Sequence, residues 1–206
     1  ANTTGFNSGM DAAKSATLAL TAALAAIGLG MSAKEFIDLS DATQQMNTRI
    51  RGATESVEDY NKVQSRLLEL ANATYRPLEE AQEVYLATSG AMKALGYSTE
   101  EILSTTESLS LAFTRNGTAA DVAQSAQDAL TGALVKGRVD ADAWSSIMKA
   151  TPNIAEDLAK QTGKTTAEIL KLGASGGVAV RDLTDTLIVT RDANLAFADS
   201  MDTSTK

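Results

Sequence analysis

Apolar residues recur three and four positions apart through most of this chain, and polar or glycine-containing breaks divide them into short runs. That spacing is the signature of amphipathic helices. Residues 56–74 place Tyr60, Val63, Leu67 and Leu70 on one face. Arg76-Pro77 breaks that helix, and Pro77 starts another with Ala81, Val84, Tyr85, Thr88, Met92 and Leu95 turned inward and Gly96 at its end. The run from Ser98 aligns Ile102, Leu109 and Phe113, and the run from Thr118 aligns Val122, Ala126, Ala129, Leu130, Ala133 and Leu134. A short helix follows with Trp144 and Ile147 three apart, the lone Trp being expected in the core because its ring buries a large area. A loop is predicted over residues 173–177, and a last helix from Val178 to about Ser200 with Val180, Leu183 and Leu187 inward and a weaker face past Arg191. No alternation of period two persists, although a brief strand pair near 176–180 is compatible with Gly-Gly-Val-Ala-Val.

The ends of these runs carry matching chemistry. Ser98 with Glu101, and Thr165 with Glu168, have the capping-box spacing, in which a hydroxyl and a carboxylate satisfy two orphan N–H groups of the first turn. Asn116-Gly117, Gly137 and Gly163 suit C-terminal caps that need a left-handed residue. Thr118 is expected to cap the helix behind it, with Asp121 near the positive end of the dipole. Thr151-Pro152 is expected to open a further helix at its first turn.

Upstream the pattern differs. Residues 1–10 are rich in Asn, Thr, Gly and Ser and are expected to be flexible. From Ser15 to Ala33 no residue is charged, and Lys14 and Lys34 bracket the segment. A helix of this length would reach roughly 28 Å, close to a bilayer's hydrocarbon core. Leu20, Leu24, Ile27 and Met31 share one face, and Ala22, Ala26 and Gly30 form a row of small residues that lets another helix approach closely. These seven residues are the candidate contact for self-association or for a membrane, and Ala and Thr make the segment only weakly apolar. Asp11 and the sparse positive charge argue against a secretory signal. Residues 35–51 continue helically, with Phe36, Ile37 and Leu39 and then Ala42, Thr43 and Met46 on the stripe.

An ordered set of short segments carries a family resemblance: Ala94-Leu95-Gly96, Glu100-Glu101-Ile102, Thr106-Glu107-Ser108, Ala119-Ala120-Asp121, the Gly132–Gly137 run, Trp144-Ser145-Ser146-Ile147 and Pro152-Asn153-Ile154. Over roughly residues 40–190 the chain resembles the helical domain of tape measure proteins from long-tailed bacteriophages. The resemblance implies a structural protein of the tail tube that sets tail length during assembly and is ejected toward the host envelope as DNA is delivered. It implies tail tube and tail-tip proteins and assembly chaperones as partners, several copies per tail, and possible contact with the host inner membrane. Location in the virion tail follows, with host cytoplasm during assembly and the cell envelope after ejection.

Composition narrows the chemistry. With no Cys and no His, disulfides, thiolates, the commonest neutral general base and the commonest metal ligand are all absent from these 206 residues. A net charge of -8 and an isoelectric point near 4.6 disfavour duplex binding, and no sequence-specific nucleic-acid binding is expected. Gly163-Lys164-Thr165 resembles the tail of a phosphate loop, but position 158 is Leu where the motif needs Gly. The pairs Glu79-Glu80, Glu100-Glu101 and Asp140-Asp142 sit at predicted helix N-termini, where they offset the dipole rather than form an acid–base pair. No calcium loop and no G-x-S-x-G elbow occurs. Asn72-Ala73-Thr74 and Asn116-Gly117-Thr118 match the glycosylation pattern, which has no meaning for a product of bacterial cytoplasm.

The expectation is therefore an all-α protein of about seven to nine helices, without enzyme activity, metal or cofactor. A flexible start over 1–10 leads into an apolar-to-amphipathic arm over 11–52, a compact domain over 56–190, and a polar helix end over 191–206 that continues in a longer chain. The alternatives are a membrane-active, pore-forming helical effector, which would share the apolar segment, and a cell-wall-degrading domain. Replacing Leu24 and Ile27 by Asp is expected to abolish self-association or liposome binding while the thermal melt of the helical body stays unchanged. A collapse of that melt would assign both residues to the core instead.

Overall fold

A computed structural model describes residues 33–203. Leu20, Ala22, Leu24, Ala26, Ile27, Gly30 and Met31 therefore lie outside the described residues, as do the segments 1–10 and 204–206. The chain divides into two units, residues 1–48 and 49–206.

Among the described residues the chain forms nine helices: α1 Ala33–Gly52, α2 Val57–Thr74, α3 Leu78–Ala94, α4 Thr99–Arg115, α5 Ala120–Lys136, α6 Ala141–Ala150, α7 Ile154–Thr162, α8 Thr166–Ala174 and α9 Val180–Thr203. Two two-residue strands, β1 Arg138–Val139 and β2 Val178–Ala179, pair antiparallel with Arg138 opposite Ala179 and Val139 opposite Val178. The fold class is all-α.

Several helices begin and end where their local chemistry places them. Ser98 and Thr165 each accept the N–H three residues on, from Glu101 and Glu168, and those carboxylates take the cap N–H in return. Gly137 and Gly163 stand in the left-handed region at φ 71° and 68°. Thr118 departs from expectation. The α5 cap is Ala119, which offers no side-chain bond, while the Thr118 hydroxyl donates to the Ala150 carbonyl at 2.7 Å. Tertiary contact with α6 outcompetes the local cap. Pro152 lies in a turn, and α7 begins only at Ile154 after Asn153. Thr151 is buried and donates back to the Ile147 carbonyl of α6 at 2.8 Å.

The core of the 49–206 unit is one cluster running from Ile50 through Leu67, Tyr85 and Leu103 to Trp144, Leu158 and Leu187. α4 is its centre. Every residue from Thr105 to Phe113 is buried, so the single inward face of Ile102, Leu109 and Phe113 is only part of what this helix covers. Its polar half goes inside because short hydroxyls satisfy themselves locally. Thr105 and Thr106 donate to the carbonyls of Glu101 and Ile102 at 2.9 Å each. On α9, Thr184, Thr186 and Thr190 do the same toward Val180, Asp182 and Thr186. A hydroxyl bonded to its own helix leaves no orphan donor, and a threonine then packs as a small, nearly apolar group. The stripe on α1 also differs from expectation: Ala42 and Thr43 are exposed, Met46 is half-buried, and Ile50 is the residue that enters the core.

Trp144 is buried on α6 as its size demands, and its indole lies over Gly173. Gly173 belongs to α8, not to the loop predicted over 173–177. A Cβ at this position would sit 2.1 Å from the indole nitrogen. At Gly90, exposed and mid-helix in α3, an added Cβ would meet nothing within 4 Å. Gly173→Ala is therefore expected to lose about 1–3 kcal/mol by overpacking, and Gly90→Ala to gain about 0.5–1 kcal/mol by restricting the unfolded chain. Urea unfolding measures both, and equal effects at the two positions would refute the close approach.

Candidate functional site

The most highly charged place inside the 49–206 unit is the middle of α4. Leu103, Glu107 and Leu111 succeed one another at four-residue spacing, so Glu107 occupies a position that an apolar stripe would fill. Its side chain is only 5% exposed. A buried carboxylate is tolerated only when charge and lone pairs are both matched. Arg66 of α2 supplies two parallel bonds, Nε to Oε1 and Nη2 to Oε2, each 2.6 Å. Arg191 of α9 adds a third, Nε to Oε2 at 2.6 Å. Such bidentate guanidinium pairing is the strongest arrangement available to a carboxylate.

The network reaches outward to solvent. Arg66 Nη1 also donates to Glu100 at 2.9 Å, and Lys62 pairs with the other Glu100 oxygen. Arg191 Nη1 bonds Asp192 at 2.7 Å. Hydrogen bonding to Glu107 raises the Arg66 pKa above its ordinary value despite burial. Lys62 first, and then Arg66, hold the Glu100 carboxyl below its ordinary range against the opposing effect of burial. Beside this centre, Ser108 meets the Thr190 hydroxyl at 3.1 Å and accepts from Asn194 Nδ2 at 3.2 Å, which extends a polar seam along α4 and α9.

The carboxylate pairs considered from sequence are occupied by structural bonds or remain at the surface. Glu80 pairs with Arg76 at 3.0 Å. Glu101 is held in its capping box, and its bonds from the Ser98 backbone and hydroxyl push its pKa down. Asp140 caps α6, and the Ala143 N–H and then Lys136 lower its pKa. A general acid needs the opposite shift. Asp157 is the described carboxyl whose pKa is raised, by burial, and the cavity it lines holds about 10 Å³, the space of a water molecule. A shallow open groove of about 260 Å³ runs between Glu79, Glu80 and Glu83 of α3 and Ala120, Ala123 and Gln124 of α5. It is smaller than the clefts that enclose small-molecule substrates. Among the described residues no group of three or more His, Cys, Asp or Glu could hold a metal ion.

The outside of the unit carries features of another kind. Val57, Leu68 and Tyr75 are exposed by 56, 50 and 80%, and their spacings of eleven and seven residues are near whole numbers of turns. Asn61, Ser65 and Asn72 of α2, also exposed, lie between them along the chain. Tyr75 closes that helix in the left-handed region at φ 54°, a conformation that costs a non-glycine residue roughly 1 kcal/mol. One aromatic and two aliphatic side chains thus stand singly in solvent on and just beyond this helix.

A family model described as tape measure protein matches residues 34–206. The chain belongs to the tape measure protein family. No curated protein and no solved structure matches it significantly. The match covers the 49–206 unit in full and begins one residue after the start of α1. Tape measure proteins are structural components of the phage tail.

The residues that matter most inside this tape measure domain were only half visible in sequence. Glu107 falls within one of the segments that carry the family resemblance, and Arg191 marks where the face of the last helix weakens. Pairing them with Arg66 needed the three-dimensional fold. Glu107→Gln keeps the volume but leaves two guanidinium groups facing a neutral amide, and is expected to lose about 3 kcal/mol in urea unfolding. Glu100→Gln, half exposed, is expected to lose less than about 1 kcal/mol. Equal losses would show that burial does not set the worth of this centre.

Proposed function

We propose that this tape measure domain is a folded module of the protein that occupies the tail tube, sets tail length during assembly and leaves toward the host envelope when DNA is delivered. The observation that carries the proposal is the family match over residues 34–206, joined to a described fold that is almost wholly helical. A helix rises about 1.5 Å per residue, so a helical chain converts residue number into length. The module itself is not the measuring section. Its helices α6, α7 and α8 have ten, nine and nine residues and fold back on one another.

In this proposal the module works by contact. Its partners are the tail tube and tail-tip proteins, assembly chaperones in the host cytoplasm, and further copies of the chain within one tail. The exposed Val57, Leu68 and Tyr75 are candidate contact residues for such a role. Contact with the host inner membrane after ejection would fall to residues 15–33, because among the described residues no helix is long and apolar enough to cross a membrane. Catalysis has no part in it.

The test is made in assembled tails. In-frame deletions in the helical coding sequence adjoining this module are expected to shorten tails by about 1.5 Å for each residue removed, and the chain is expected among the proteins of purified tails. Tails of unchanged length, or tails that lack the chain, would overturn the proposal. Dye leakage from liposomes caused by the purified chain alone would point to a membrane-active effector, and turnover of purified peptidoglycan to a cell-wall enzyme.

A further inference from the structure

We propose that the distal half of α9, residues 191–203, is a strap that opens from α4 at Thr190 as one unit while the rest of the domain stays folded. The two halves of this helix are held by different chemistry. The proximal half is anchored in the core by Val180, Leu183, Thr184 and Leu187, all buried. It is fastened again near its start, where the Tyr97 hydroxyl donates to Asp185 at 2.8 Å and Arg181 donates to the Leu95 carbonyl at 3.1 Å.

From Thr190 onward the contact turns polar. Thr190 meets Ser108, Arg191 meets Glu107, and Asn194 bonds Ser108 and accepts from Arg115 at 3.4 Å. Leu195 is only partly buried, and Phe197, more than a third exposed, lies 5.0 Å beneath the Arg115 guanidinium. Polar groups of this kind can exchange their partners for water, so this half is held less firmly than the apolar half before it.

Opening also leaves no orphaned charge. Glu107 keeps both bonds from Arg66 when Arg191 departs, and Arg191 keeps Asp192 and gains water. The reverse loss is different, because removing Arg66 leaves the buried carboxylate with the Arg191 bond alone. Arg66 is therefore the permanent counter-ion and Arg191 the releasable one. The inference concerns the fold and stands whether or not the domain acts in setting tail length.

Hydrogen exchange read by mass spectrometry on the whole chain tests it. In the unaltered protein, amides of residues 191–203 are expected to exchange at least about tenfold faster than those of 105–113 and 180–190. Arg191→Met is expected to speed 191–203 about tenfold further and leave 105–113 unchanged. Arg66→Met is expected to speed all three regions. Exchange of 191–203 and 105–113 at one common rate in the unaltered protein would overturn the proposal. So would an Arg191→Met protein in which α4 speeds up as much as the strap. If either variant fails to fold, the rates in the unaltered protein decide alone.

Discussion

A carboxylate placed among buried leucines costs several kcal/mol unless opposite charge and hydrogen bonds meet it there. Glu107 is met by Arg66 from α2 and by Arg191 from α9, elements that lie on either side of α4 in the chain order. The helix in the centre of the 49–206 unit is thereby tied to an early and a late element at once. The bidentate geometry allows one register, because a guanidinium fork fits a carboxylate in few orientations.

Around that centre the polar content of α4 and α9 becomes intelligible. A helix buried on all sides would ordinarily be leucine-rich. This one carries Thr105, Thr106, Ser108 and Ser110, all buried. Small side chains allow close approach, and their desolvation is offset where the Thr105 and Thr106 hydroxyls bond their own helix and Ser108 bonds Thr190 and Asn194 of α9. The Ala-rich face of α5 and the Trp144–Gly173 contact follow the same economy of volume in the second half of the unit. A chain with only 4% aromatic residues builds its core from many small contacts and few large ones.

Among the described residues, Glu80, Glu100, Glu101, Glu107, Asp140 and Glu168 are engaged in caps or ion pairs, and Val57, Leu68 and Tyr75 are exposed. Membership of the tape measure family fits a domain of that description.

Helix positions and several helix ends could be read from the chain directly, because they depend on residues three or four apart. Ser98 with Glu101 and Thr165 with Glu168 bring both partners of a cap within one turn, and Gly137 and Gly163 need only their own backbone freedom. The readings failed where a distant element intervened. Thr118 abandons its own helix for the Ala150 carbonyl, β1 exists only because β2 lies beside it, and Gly173 is packed against a tryptophan twenty-nine positions earlier. Glu107 shows the limit most plainly. Local order is written in neighbouring residues, whereas the worth of a buried charge depends on which side chains forty and eighty positions away arrive beside it. Only the folded chain decides that.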